Sequence, residues 1–186
     1  MGILQIFMQH HRSWTERGIF CFFAVLAVGL LVSAWLTRRG RICVSQAVAG
    51  LLLLAFLGLV FASTVFTRMP SQRRYELVLF WSWREVIIHR DWGVLEQNLL
   101  NCFLLFPMGL LLPIMMKSRS PMIMGFLMGL LVSVSIEICQ LVFCRGLFEW
   151  DDMIHNALGS MLGCMVLDRA AAWTKRIRRS KSAEIQ

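Results

Sequence analysis

The residues whose types and spacing could carry chemistry lie between Ser133 and Gly163, in SVSIEICQLVFCRGLFEWDDMIHNALGSMLG. Glu137 stands inside an apolar run that reads as a membrane-spanning helix. An ionised side chain at the centre of such a helix costs about 2.5 kcal/mol or more, so it should face protein or water, and it marks a functional site by default. Ser133, Glu137 and Gln140 are four and three apart and share one helix face. Asp152, Asn156, Gly159 and Gly163 repeat with the same period on the next helix. A short loop carrying Arg145 joins the two, so the faces can meet with Arg145 beside a carboxylate in a charge-assisted pair. Asn98 and Asn101, on the preceding apolar run, can add amide hydrogen bonds to the same centre. Such a set can hold an anionic group through Arg145 or Arg68. It can also move a proton, with Glu137 as general acid or base, Asp152 beside it, and Asn101 and Asn156 orienting the substrate.

Each of these residues also has a purely architectural use. Glu137 paired with Arg145 or Arg68 would lock helices together, since polar side chains act as glue in membrane bundles at about 1 kcal/mol per hydrogen bond. Asp151 and Asp152 precede a helix, where carboxylates accept from free N–H groups and complement the helix dipole. Capping is the expectation for Asp151, whereas Asp152, on one face with Asn156, belongs equally to cap or site. His155 has no partner at metal-ligand spacing, and His89 stands alone in a loop, so no metal site is expected. No Ser-His-Asp or Cys-His arrangement, Gly-rich phosphate loop or zinc-finger spacing is present, and nothing calls for a cofactor. The six cysteines lie in or beside apolar segments without a CxxC pair and read as packing residues.

The elements that must position this cluster are helices in a bilayer. Apolar residues make up 58% of the 186 and mean hydropathy is +0.65. Apolar runs at 19–36, 42–66, 97–116, 122–143 and 153–173 are each of a length to cross a membrane. The expectation is an all-α polytopic helical bundle of about five transmembrane helices plus an interfacial amphipathic segment. Residues 1–18 form an N-terminal interfacial segment, 19–41 the first span with a basic linker, 42–173 the main transmembrane domain, and 174–186 a basic tail. Between spans two and three, Leu77 to Trp83 with Arg84 and Trp92 form an apolar, aromatic stretch suited to the headgroup layer, over the mouth of the bundle. Pro107 should kink the third span. Gly159, Ser160 and Gly163 should let the last span pack closely.

The formal net charge is +8. Its basic residues sit mainly in short linkers and the tail, where the positive-inside rule accounts for them, so no nucleic-acid partner is implied. The linkers after spans one and three and the tail are almost free of acids. This predicts a multi-pass plasma-membrane protein with its N-terminus outside and its C-terminus cytoplasmic. On that topology Arg68, Asn101, Glu137, Gln140, Arg145, Asp151, Asp152 and Asn156 gather in the outer half of the membrane.

Three ordered blocks carry a resemblance. They are Asn101 through Pro107 and Gly109 to Pro113, then Ser133 through Glu137 to Gln140, then Arg145 through Asp151-Asp152 and Asn156 to Gly159. Together they resemble the VanZ-like membrane protein family over roughly Ile42 to Leu167, and Phe80-Trp81-Ser82 resembles a further family feature. His155 departs from the pattern. The family is named for a protein associated with resistance to teicoplanin, a lipid-tailed glycopeptide acting on cell-wall precursors. The resemblance implies a cell-envelope protein of a Gram-positive bacterium that lowers susceptibility to such drugs. Its partners would be the bilayer and a lipid-linked wall precursor or the drug's lipid tail. Carried onto this chain, the motif positions are Asn101, Pro107, Gly109, Ser133, Glu137, Gln140, Arg145, Asp152, Asn156 and Gly159. Glu137, Arg145 and Asp152 are the chemical candidates; Asn101, Ser133, Gln140 and Asn156, with Arg68 from outside the motif, take binding roles. An intramembrane enzyme on a lipid-linked substrate and a structural partner protein are the alternatives.

Overall fold

The structure is a computed structural model describing residues 16–117 and 122–183, with side chains to 178. Residues 1–15 of the expected N-terminal interfacial segment, the turn 118–121 and the end of the basic tail lie outside these residues, and 16–18 belong to the first helix. Helices α1 (Glu16–Arg38) and α2 (Val44–Phe61) come first, and α2 is prolonged by a π-helical turn, Ala62–Phe66. Strand β1 (Arg74–Glu76) and the short helix α3 (Trp81–Arg84) follow, the latter running into a second π-helical turn, Glu85–His89. Then come α4 (Trp92–Leu104), α5 (Phe106–Met116), α6 (Met122–Phe143), strand β2 (Leu147–Glu149) and the long α7 (Trp150–Ala183).

Four stretches among the described residues are long and apolar enough to cross a membrane: Glu16–Arg38, Val44–Phe66, Trp92–Met116 and Met122–Phe143. The chain is therefore an all-α membrane bundle. The fifth expected span, 153–173, lies within α7. It buries polar residues, including His155, Asn156 and Ser160, on the face that sits against α6, α5 and α4, while Leu162 and Val166 are exposed. It is not one of the four stretches that are long and apolar enough to cross by length and composition.

The third span is broken next to Pro107, whereas Pro113 is carried inside the second of the two helices. Leu105 leaves helical geometry (φ −103°, ψ 6°), and Pro107 falls in the first turn of α5, where its missing N–H costs nothing. The bend lets α4 and α5 each meet α7. Contact there is backbone to backbone. A Cβ on Gly159 would overlap the Cys102 carbonyl, and one on Gly109 the Ser160 carbonyl. Gly125 and Gly129 of α6 come close to the side chains of Cys164 and Ser160. Without a hydrophobic drive between helices in lipid, this close van der Waals approach is what associates them.

Two apolar clusters fill the remaining space. Leu53, Met108, Leu112 and Cys164 form one; Val60, Val65, Leu105 and Ile136 form the other. At the far end of α2 from the π-helical turn, the Gln46 amide donates to the Met115 carbonyl at 2.9 Å, tying α2 to the end of α5. Helix α1 has no buried residue and rests on α2, with Phe22 against Gly58 and Leu54 against Gly29. Its outer face is open to lipid, Phe20 being 75% and Leu31 70% exposed.

Gly159→Val should cost about 1–3 kcal/mol by overpacking and lower both thermal stability and membrane abundance. Gly50→Ala, whose nearest neighbour is Met115 at 3.8 Å, should leave both unchanged. Thermal unfolding in detergent compares the two.

Candidate functional site

The segment after α2 does not hang free. Ser71 N–H donates to the Cys144 carbonyl at 2.7 Å, and β1 then pairs in parallel with β2 in the register Arg74↔Leu147, Tyr75↔Phe148 and Glu76↔Glu149. Beyond it, the Asp151 carboxylate gathers the next turn. Oδ1 accepts from Phe80 N–H at 2.6 Å, and Oδ2 accepts from Ser82 N–H at 3.0 Å and Ser82 Oγ–H at 2.6 Å. Asp151 was expected to cap its own helix; its acceptors are instead taken up by a segment 69 and 71 residues away. Phe80 is held in the left-handed region (φ 61°), uncommon for a side chain of that size. Asn98 Nδ2 donates to Ser82 Oγ at 3.2 Å, and Trp83 Nε1 donates to His155 Nε2 at 2.9 Å. His155, which stood outside the sequence pattern, thus anchors the same segment.

The polar face of α6 works behind this assembly. Glu137 is 2% exposed, and its Oε2 accepts from Glu149 N–H at 3.1 Å. Asn156 Nδ2 donates to Ser133 Oγ at 2.8 Å, joining α7 to α6. Gln140 Nε2 donates to the Thr64 carbonyl at 3.1 Å. Arg145 Nη1 reaches the Val65 carbonyl at 3.5 Å and the Phe66 carbonyl more closely. The expected Glu137–Arg145 and Glu137–Arg68 pairs are not formed. The reason lies in α2, whose π-helical end leaves carbonyls without helical partners, and a cation is drawn to that negative end of the dipole. Among the described residues the ion pair within 4 Å is His89–Glu85, 3.8 Å apart on the surface.

In front of these braces is a cavity of about 710 Å³. Its walls come from the end of α2, the β1–α3 segment, α4 and the loop into α7. Arg68, Arg74 and Arg145 line it, together with Gln97, Asn98, Asn101, Trp81, Glu149, Asp151 and Asp152. Asn101 Nδ2 makes a short hydrogen bond to Asp152 Oδ1. Of the residues picked from sequence, Arg68, Asn101, Arg145 and Asp152 are brought together on this wall. Glu137, Ser133, Gln140 and Asn156 are not; they lie inside the bundle.

Sequence reasoning missed Arg74, Gln97, Trp81 and Glu149 as lining residues. Two three-residue strands are too short to leave a periodic signal, so the pairing that delivers Arg74 and Glu149 could not be read. For Trp81 a signal did exist, in the block Phe80-Trp81-Ser82. The Trp81 indole N–H is buried without a completed hydrogen bond, although it lies near enough to Glu149 to favour that carboxylate's charged form.

Glu149 sits between the spans, and its pKa is pushed up to about 7 from an ordinary 4.5, first by burial and then by the charges of Asp152 and Asp151. Its folded form therefore keeps a proton, between those two values, that the unfolded chain has lost. That contribution is present at low pH and lost as pH rises through about 7. Below that value Glu149 is neutral, and the wall sets three arginines, Arg68, Arg74 and Arg145, against Asp151 and Asp152, so it is cationic on balance.

Residues 47–170 match the family model described as VanZ/LLP1, more than half of the chain. No curated protein and no solved structure matches it.

Two outcomes follow from the site. Asp151→Ala should speed amide hydrogen exchange at Phe80 and Ser82 by at least tenfold, leaving exchange in α2 unchanged; each charge-assisted bond lost is worth about 1.5–3 kcal/mol. Thermal stability of the intact chain should fall between pH 5 and pH 8, and Glu149→Gln should flatten that slope. Melting curves across the window measure it.

Proposed function

The chain belongs to the VanZ/LLP1 family, and on that premise we propose that it binds the anionic head group of a lipid-linked envelope component in its polar cavity. The observation that carries this reading is three arginines, Arg68, Arg74 and Arg145, on the wall of one 710 Å³ cavity at the end of a membrane bundle. Guanidinium forks match phosphate and carboxylate geometry and remain charged at any physiological pH. Asn101, fixed by Asp152, and the Trp81 indole add neutral donors at the same wall.

The neighbouring segment supports a head-group depth. Leu77, Val78, Leu79, Ile87, Ile88 and Trp92 are exposed and interleaved with Arg84 and Arg90, the composition of a stretch lying in the interface. With the N-terminus outside and the C-terminus cytoplasmic, the cavity opens on the outer face of a bacterial plasma membrane. There it would hold a lipid-linked cell-wall precursor, or alter access to one, and so lower susceptibility to teicoplanin-type lipoglycopeptides. The drug's own lipid tail is the other occupant of that class.

A second reading is an intramembrane enzyme on the same substrate, and the placement of two carboxylates at the cavity wall favours it. Asp152 and Glu149 are the groups in reach of a bound head group, and Glu149 titrates near 7, where a proton-transfer group is most effective. In this reading Glu137 is a positioning residue, holding the Glu149 backbone, and Arg145 holds the phosphate.

Teicoplanin susceptibility of a sensitive Gram-positive host expressing the chain tests the function. Wild type should protect, and Arg68→Gln/Arg74→Gln at matched membrane abundance should not. Equal protection by the variant would overturn the cavity reading. Asp152→Asn separates the two mechanisms: a binder keeps most of its protection, whereas an enzyme loses it.

A further inference from the structure

A second cavity, of about 500 Å³, lies on the other side of the π-helical turn that ends α2. It is formed between α1 and α2 by Cys21, Val25, Gly58, Phe61 and Phe66, and it closes on Arg145. Arg145 also lines the polar cavity. One guanidinium therefore stands at the join between a cationic chamber and an apolar one. Its Nη1 is spent on the Val65 and Phe66 carbonyls, while the group has five N–H donors in its fork.

Helix α1 packs mainly on α2 and buries no residue of its own. Val25 is 53% exposed, so the chamber opens sideways to the bilayer. Glycine makes the recess: a side chain on Gly58 would meet the Phe22 ring at 2.6 Å. The volume falls in the range of about 300–1,000 Å³ typical of sites that bury a ligand.

We infer that the α1–α2 chamber is a binding site for one acyl chain of a membrane-resident phosphate ester, entering sideways from the bilayer, with Arg145 at the junction of chain and head group. The inference rests on the reading that the polar cavity takes an anionic head group. Charge selects the occupant. A neutral lipid gains nothing at Arg145, whereas a phosphate there completes a fork already fixed in place by two backbone carbonyls. Lateral entry also removes the need to lift the chain into water.

The test measures equilibrium binding of two phosphatidic acids, dioleoyl and dihexanoyl, to the purified full chain in a neutral detergent. Val25→Trp fills the chamber from its lipid-facing edge without entering the bundle, and Cys21→Phe fills it independently. Leu131→Trp, at a 60% exposed position on α6, is the control. Both filling variants should weaken the long-chain lipid about tenfold, while the short-chain lipid binds as to wild type and the control changes neither. Unchanged long-chain affinity in both filling variants, with short-chain binding intact, would overturn the chamber and leave the head-group reading standing. An equal loss in Leu131→Trp would also overturn it, since any lipid-facing tryptophan would then suffice. If neither lipid binds wild type, the head-group reading fails and the chamber falls with it.

Discussion

The Asp151 carboxylate holds the roof of this molecule. It stands in the first turn of α7 and accepts from Phe80 N–H, Ser82 N–H and the Ser82 hydroxyl. Those donors lie at the start of the short helix α3, where the first N–H groups have no helical partner, and a buried N–H without an acceptor costs about 1–3 kcal/mol. Once the turn is captured, Ser82 is buried, Asn98 can reach it, and Trp83 can reach His155. The three-residue β1–β2 pairing becomes tenable because its ends are already close. The cavity exists because that roof is held over the ends of α2 and α4.

Around it, the polar residues divide by the demand each one meets. In a bilayer, backbone outside a regular helix is tolerated only where its N–H and C=O groups find partners within the protein. Glu137 serves the backbone of Glu149, Gln140 serves Thr64, and Arg145 serves Val65 and Phe66. These are the residues that let the chain carry non-helical backbone at the bundle's end. Arg68, Arg74, Asn101 and Asp152 face the cavity instead. Arg145 belongs to both groups, which makes it the hinge between architecture and binding.

The helices can carry this assembly because they meet so closely. At Gly159 and Gly109 the backbones leave no room for a Cβ, and the break at Leu105 turns α4 and α5 so that each reaches α7. That approach is what brings Asn101 within hydrogen-bond reach of Asp152. A wider spacing would leave both side chains solvated and the cavity open.

The amino-acid sequence by itself determined the class of molecule, its apolar helices, the break near Pro107 and the small-residue face of α7. It also determined that the polar residues would gather at one end. These depend on length, hydropathy and a helical period of 3.6, which are local properties of the chain. What only the tertiary structure decided was the partner of each polar side chain. Glu137 went to a backbone N–H and not to Arg145, Asp151 to a distant turn and not to its own helix, and His155 to Trp83. In each case the winning group lies on irregular backbone or in the segment such backbone carries. Its docking position depends on the whole bundle, and its need for a partner in a membrane outweighs any pairing that helical spacing alone would favour.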